Sequence, residues 1–379
     1  MSPSLKSPAL IKSLALPIAL VVAAAFFATK EPAFLGARNL TQLLIEFSTV
    51  GTLALGMFLV ILTGNIDLSV GSGVGLIGGI AAVLVFKHEW SAGAALATGL
   101  GAALVLWVLM GTLIVKQHIP SFIITLGGLL IFKGAFWLVI ESSTVPVSRG
   151  DEDNLYSQLT TFYLSHGAGL ALAVAAGAVV TILRWRGRRA RQERSLPVPP
   201  AARALLAPLI GTAAGLGLVI VCNQFRGVPL SLVILGVTTA LIYFVTRHTA
   251  FGRYLYAIGG NEEAARLSGI RVERVLVGAF AIMGAMVAVT GFLVTAYSGA
   301  STTTVGELME LDAIAACVIG GVALKGGRGT VWGVLLGALI MTVLLNGMTL
   351  MAVSPEIKFI ARGVVLAVAV WLDVRFSRR

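Results

Sequence analysis

Long apolar stretches separated by short polar ones run the length of this chain and limit what it can become. They lie near 14–29, 43–62, 68–86, 92–115, 121–140, 167–183, 204–222, 228–245, 275–297, 311–324, 330–353 and 359–374. A helix needs about 20 residues to cross a hydrocarbon core, so the pattern predicts an all-α, polytopic transmembrane helical bundle of about ten to twelve spans. The bundle forms a single domain over residues 1–379. Segment 311–324 is short and reads as half a span or a re-entrant piece. Only 12% of the residues are charged and 57% are hydrophobic, whereas a soluble domain carries about 25% charged residues.

Charge placement predicts orientation. Suppose the N-terminus is cytoplasmic and every segment crosses. Lys30, Arg38, Lys87, Arg149, Arg226, Lys358 and Arg362 then lie outside, and Lys133 lies within a span. Most other basic residues fall inside, including the 184–203 run, the 247–274 loop and Arg375, Arg378 and Arg379. The positive-inside rule therefore places both termini in the cytoplasm. The net charge of +11 follows from that bias and not from nucleic-acid binding. Lys6 and Lys12 ahead of the first apolar run also fit a cleaved signal peptide, but a retained first span keeps the parity.

Arg184–Arg194 holds the densest charge, and Pro197-Val198-Pro199-Pro200 follows. Together they read as an Arg/Pro-rich cytoplasmic loop over 184–203, a topology anchor beside anionic lipid. The 141–166 segment, with Asp151, Glu152 and Asp153, is the one sizeable external loop. Cys222 and Cys317 sit in apolar runs, so a buried unpaired state is expected. Neither a disulfide framework nor a metal site is supported.

Three polar segments interrupt the apolar background. The first is Ala257-Ile258-Gly259-Gly260-Asn261-Glu262-Glu263-Ala264-Ala265-Arg266-Leu267-Ser268-Gly269-Ile270. Asn261 is a good N-cap, and Glu262 and Glu263 complement the positive end of the helix dipole. Glu262 and Arg266 stand i,i+4 with the acid first, and Gly269 suits a left-handed C′ position. The spacing predicts a helix over 262–268, too short to be stable alone, with Gly259 and Gly260 allowing a sharp turn before it. It is a surface helix of a 247–274 loop, or a helix that docks on a partner.

The second segment is Leu62-Thr63-Gly64-Asn65-Ile66-Asp67-Leu68-Ser69-Val70-Gly71-Ser72. It reads as a helix break near membrane depth, tolerated only when buried in protein or lining a wet cavity. Asp67 is a helix N-cap, with Ser69 in the first turn, or a contact for solute. Thr63, Asn65, Asp67, Ser69 and Ser72 are the candidate pathway or gate residues. Gly71, Gly75 and Gly79 follow as a stripe that lets another helix approach closely. The third segment, 306–321, holds Glu307, Glu310 and Asp312 at the expected outer end. These acids cap a helix, pair with Arg on a docking partner, or line the pore mouth. Lys325-Gly326-Gly327-Arg328-Gly329 then forms a tight inner turn.

These segments resemble the permease subunits of bacterial ABC importers for monosaccharides, of the ribose and xylose type. The resemblance rests on Thr249-Ala250-Phe251-Gly252-Arg253 with 257–270, on Ile66-Asp67-Leu68-Ser69-Val70-Gly71, on Pro120-Ser121-Phe122-Ile123-Ile124-Thr125-Leu126, and on Glu310-Leu311-Asp312-Ala313-Ile314-Ala315-Ala316. It covers roughly residues 35–375, and the insertion at 150–205 is like that of the xylose type. It implies an ABC importer permease fold in a bacterial inner membrane, translocating D-xylose or a similar pentose. In that frame Gly259, Gly260, Asn261, Glu262, Glu263, Ala264, Arg266 and Gly269 form a coupling helix for an ATPase subunit. Glu307, Glu310 and Asp312 are candidates for outer docking of a periplasmic sugar-binding protein, and two permease copies form the pathway.

No Gly-x4-Gly-Lys-Ser/Thr phosphate loop occurs in the sequence, so ATP and Mg are expected in the separate ATPase. The chain itself is expected to bind no cofactor and to be a transport subunit, not an enzyme. The alternative is an ion-coupled secondary sugar permease, with Asp67, Glu46 and Lys133 as coupling groups. Glu46 and Lys133 are otherwise expected to pair or snorkel.

Overall fold

A computed structural model describes residues 8–150, 153–198 and 200–377. Lys6, Asp151, Glu152, Pro199, Arg378 and Arg379 lie outside the described residues. The apolar segments all become helices: α1 (Pro8–Lys30), α2 (Ala37–Leu62), α3 (Val70–Phe86), α4 (Ala92–Gln117), α5 (Ser121–Val139), α7 (His166–Glu193), α8 (Ala201–Asn223), α9 (Leu230–His248), α12 (Val272–Ser298), α13 (Met309–Ile319), α14 (Val331–Leu350) and α15 (Pro355–Ser377). Three shorter helices lie between them: α6 (Leu155–Thr161), α10 (Ala250–Gly260) and α11 (Glu262–Leu267). Among the described residues, 7 helices are long and apolar enough to cross a membrane, and α1, α3 and α8 supply shorter apolar stretches. This is a polytopic helical bundle and a multi-pass membrane protein.

α12 packs against α2, α3 and α4 and forms the centre with them. α2 is nearly all buried, and Leu53 through Leu62 are sealed from every side. α9, α13 and α14 cover α2, while α5 covers α3. Glycine permits the tightest crossing: a Cβ on Gly291 of α12 would come 2.6 Å from the Val74 carbonyl oxygen of α3. The helices therefore touch backbone to backbone, which is how apolar helices gain contact where no hydrophobic force separates them from lipid. By contrast α7 and α8 pack mainly on each other at the edge, touching the centre where α8 meets α2, and α7 is almost entirely exposed.

Several local expectations change. The arginine-rich stretch is not a loop, because α7 stays helical to Glu193. Arg, Ala, Gln and Glu favour helix, and Arg188 and Arg189 lie over the Trp185 ring. The 247–274 loop is likewise mostly helix, and Gly259 and Gly260 are the last residues of α10, not a turn. The Gly71-Gly75-Gly79 face does admit a close neighbour, α5, whose Phe136 ring lies against Gly75 and Gly79, but its Gly71 end takes the 299–308 connection and Glu310. The Gly306 carbonyl oxygen fills the face at Gly71 and the Val305 carbonyl oxygen meets Gly75.

The connection 299–308 explains that filling. It leaves the end of α12, and its strand β2 (Ala300–Ser301) pairs antiparallel with β1 (Val145–Pro146) of the 141–166 segment. It then runs down beside α3, so that α13 begins next to Gly71, inside the bundle. With 11 residues, α13 is half a span, one of the two readings of 311–324. At the β1–β2 end of the bundle Lys87 pairs with Glu141 at 2.9 Å and Arg149 with Glu89 at 2.6 Å.

Candidate functional site

α10 and α11 form an exposed elbow between α9 and α12. Thr249 caps α10 by accepting from the Gly252 N–H at 3.1 Å. Asn261 ends α10 and caps α11, its side-chain oxygen accepting from the Ala264 N–H at 2.9 Å. Gly269 closes α11 with φ +82°. The Arg266 guanidinium pairs with Glu262 at 3.1 Å and with Glu273 at the start of α12. Glu273 first, then Glu262, holds that guanidinium above its ordinary value. Ala265 is the buried anchor of α11, while Glu262, Glu263, Ala264 and Arg266 face outward and Leu267 is 84% exposed.

Besides the buried side chains of Leu255, Ile258 and Ala265, the elbow meets the core backbone to backbone at Gly259. A Cβ on Gly259 would overlap the Leu62 carbonyl oxygen and the Gly327 nitrogen. The Gly327 N–H donates to that same Leu62 oxygen at 2.9 Å, and the Tyr256 hydroxyl donates to the Gly329 carbonyl at 3.0 Å. Gly326 and Gly327 take φ +89° and +73°, which glycine adopts at little cost. Three backbones thus meet: the end of α10, the end of α2, and the 325–329 turn. Gly260 is different, with nothing within 4 Å of an added Cβ. The sequence marked the glycines but not this junction, which joins positions far apart in the chain.

From Leu62 the chain climbs back into the bundle as the break 63–69. Thr63 Oγ1 donates to the Val60 carbonyl at 2.7 Å, and Asn65 Nδ2 donates to Thr63 Oγ1 at 3.0 Å. The Ile66 N–H donates to Ser121 Oγ at 3.3 Å, and Thr125 Oγ1 donates to the Ile66 carbonyl at 3.3 Å. Asp67 is fully buried. One carboxylate oxygen accepts from Ser69 N and Ser69 Oγ at 2.9 and 2.6 Å, and the other from Trp107 Nε1 at 2.7 Å. Ser69, not Asp67, occupies the N-cap position of α3. Asp67 holds that turn from two residues earlier. Ser72 is buried too. Thr63, Asp67, Ser69 and Ser72 are therefore buried inside the chain, and the bonding capacity of Asp67 is used there.

Trp107 gives the depth of this break. At ~1.5 Å per residue it stands about 22 Å from the Ala92 end of α4 and about 15 Å from the Gln117 end. Its ring abuts Gly73, so Asp67 lies near the middle of the span.

The third acidic segment also differs from its expected placement. Glu310 and Asp312 are 7% and 3% exposed, so neither presents itself to an external partner. Asp312 pairs with Arg362 of α15 at 3.0 Å, drawing in an arginine expected outside. Burial of an unpaired carboxylate in hydrocarbon is too costly to leave it alone. Glu307 alone of the three is exposed. Glu46 and Lys133 do not pair. Glu46 accepts from Asn346 Nδ2 at 3.1 Å and from the Tyr297 hydroxyl at 3.4 Å, and Asn346 Oδ1 accepts from Asn39 at 3.0 Å. Lys133 Nζ instead lies 5.5 Å from the centre of the Trp137 ring. Among the described residues no group of three His, Cys, Asp or Glu could hold a metal ion. Cys222 and Cys317 are buried free thiols.

The chain is similar to known transport proteins. Residues 39–370 match the family described as branched-chain amino acid transport system / permease component. The chain is 39% identical over 376 residues to the xylose transport system permease protein of Escherichia coli strain K12, covering 97% of this chain and 94% of that protein. It is also 39% identical over 365 residues to the xylose transport system permease protein of Haemophilus influenzae, covering 96% of each. Identity to the ribose import permease protein of Escherichia coli strain K12 is 32% over 356 residues, covering 94% and 92%. No solved structure matches the chain.

Proposed function

Since this chain belongs to the family of branched-chain amino acid transport system permease components, we propose that it is the membrane subunit of an ATP-driven importer. Its solute is a monosaccharide, D-xylose or a similar pentose. A separate ATPase uses ATP and Mg, a soluble sugar-binding protein delivers solute at the outer face, and two permease copies form the unit. The protein sits in a bacterial inner membrane with both termini in the cytoplasm.

One observation supports the coupling role: at Gly259 the backbone of the exposed α10–α11 elbow lies directly against the backbone at the end of α2, with no side chain at that contact to absorb movement. A force on α11 then reaches the break 63–69 directly. An ion-coupled permease gives this elbow no role. The choice of solute leans on relatives named for xylose at 39% identity and for ribose at 32%.

The test is uptake of labelled D-xylose and D-ribose by vesicles holding the permease with the ATPase that co-purifies with it. The expected result is ATP-dependent uptake that survives collapse of the proton gradient, with D-xylose preferred. Uptake without any ATPase, abolished by that collapse, would overturn the reading in favour of ion coupling.

A further inference from the structure

A second set of polar groups runs from the level of Trp107 toward the Val139 end of α5 and is only partly spent inside the chain, Thr304 Oγ1 lying 3.1 Å from Thr302 Oγ1. Lys133 follows Phe132, whose ring lies 5.2 Å from that of Trp107. This puts a lysine near the middle of the span. Its ammonium faces Trp137, which is 44% exposed and donates from Nε1 to the Thr303 carbonyl at 3.4 Å. Thr304 and Glu307, on the same descending connection, are exposed. Glu310 ends the series: it is buried, with its carboxylate against Gly71, and no other described residue donates a hydrogen bond to it or pairs with it. Beside it Asp312 is ion-paired with Arg362.

The carboxylate of Glu310 does not meet lipid, because an ionisable side chain buried within a membrane bundle faces protein or a water-filled space. Acceptors and one cation alternate here with an indole. Two carboxylates and a hydroxyl accept from the hydroxyls of a solute, an ammonium donates to them, and an aromatic body covers C–H surface. The sum suits a neutral, polyhydroxylated ring more than an ion of either sign.

We propose that Lys133, Trp137, Thr304, Glu307 and Glu310 line the aqueous route by which the sugar crosses this chain. The inference rests on the importer reading and moves the route away from Thr63, Asp67 and Ser69, whose polar atoms are already hydrogen-bonded within the bundle.

The experiment pairs function with hydration in vesicles holding the permease and its co-purified ATPase. Lys133→Met and Glu310→Gln should each lower D-xylose or D-ribose uptake at least about tenfold, the loss of one hydrogen bond to a charged group. Thermal stability and ATPase association should stay at the unmodified level. Thr304→Cys should react with a charged, membrane-impermeant thiol reagent and lose uptake when labelled; the buried native thiols provide the blank. Normal uptake in both charge variants would overturn the proposal. So would a Thr304→Cys thiol reached only by a lipid-soluble maleimide, or one that oxidises to its copy in a second chain and stays closed to water. If unmodified vesicles import neither pentose, the importer reading falls, and the named solute with it. Working unmodified vesicles with unaffected variants sink the seam alone.

Discussion

The indole Nε1 of Trp107, in the middle of α4, donates a 2.7 Å hydrogen bond to the carboxylate of Asp67 in the α2–α3 break. Both side chains are fully buried. The bond fastens an irregular stretch to the helix beside it, and with the Ser69 donors it satisfies a carboxylate that hydrocarbon would not tolerate. Replacing Trp107 by Phe keeps most of the ring and deletes one donor. Stability in detergent should fall by about 1–3 kcal/mol, the usual cost of a lost bond to a buried charged group. Asp67→Asn should impair uptake, because an amide has one acceptor oxygen and cannot serve Ser69 and Trp107 together. Wild-type uptake and melting in both variants would reduce the pair to an incidental contact.

Gly259 and Gly260 are neighbours with opposite surroundings, and alanine separates them. Gly259→Ala drives a methyl into the Leu62 carbonyl and the Gly327 nitrogen, whereas Gly260→Ala meets nothing within 4 Å. We expect Gly260→Ala to stay within about 0.5 kcal/mol of the unmodified protein. Gly259→Ala should cost more than about 3 kcal/mol or abolish transport, as overpacking against fixed backbone does. Thermal melts and uptake assays of the two variants side by side decide it; equal behaviour would dissolve the junction as a rigid link.

Charge reversal at Glu262 addresses coupling. The Glu262–Arg266 pair is half exposed, and exposed pairs add little to stability. Glu262→Arg should therefore leave the melting temperature unchanged while reducing retention of the ATPase on the purified permease. Full retention with normal uptake would show that α11 is only a surface helix.

Asp312 and Arg362 form a pair that stands or falls together. Removing one partner of a buried pair commonly costs about 3–5 kcal/mol, while replacing both by apolar groups is often neutral. Arg362→Met alone should lower stability strongly, and Asp312→Leu with Arg362→Met should recover most of it. A double variant no better than the single one would mean that the pair does more than satisfy itself.

Local signals in this sequence were legible because their causes are local. The apolar segments each became a helix, and the short helix after Asn261 ends one residue from its expected limit. Asn261 caps it and Gly269 closes it, since capping depends on residues within one turn. The Arg184–Glu193 stretch failed for the same kind of reason in reverse: charge density suggested a loop, yet the residues are good helix formers carried onward by α7.

What the sequence by itself determined is thus the spans, their caps and the position of the breaks, all set by hydrophobicity and short-range bonding. Only the tertiary structure decided which polar groups are spent and which are free. Trp107 lies 40 residues from Asp67, and Asn346 lies 300 from Glu46. Nothing in a run of apolar residues says which buried donor will meet which acceptor. That is settled when helices pack, because each buried polar group must find a partner, and close glycine contacts determine which helices come near enough to offer one.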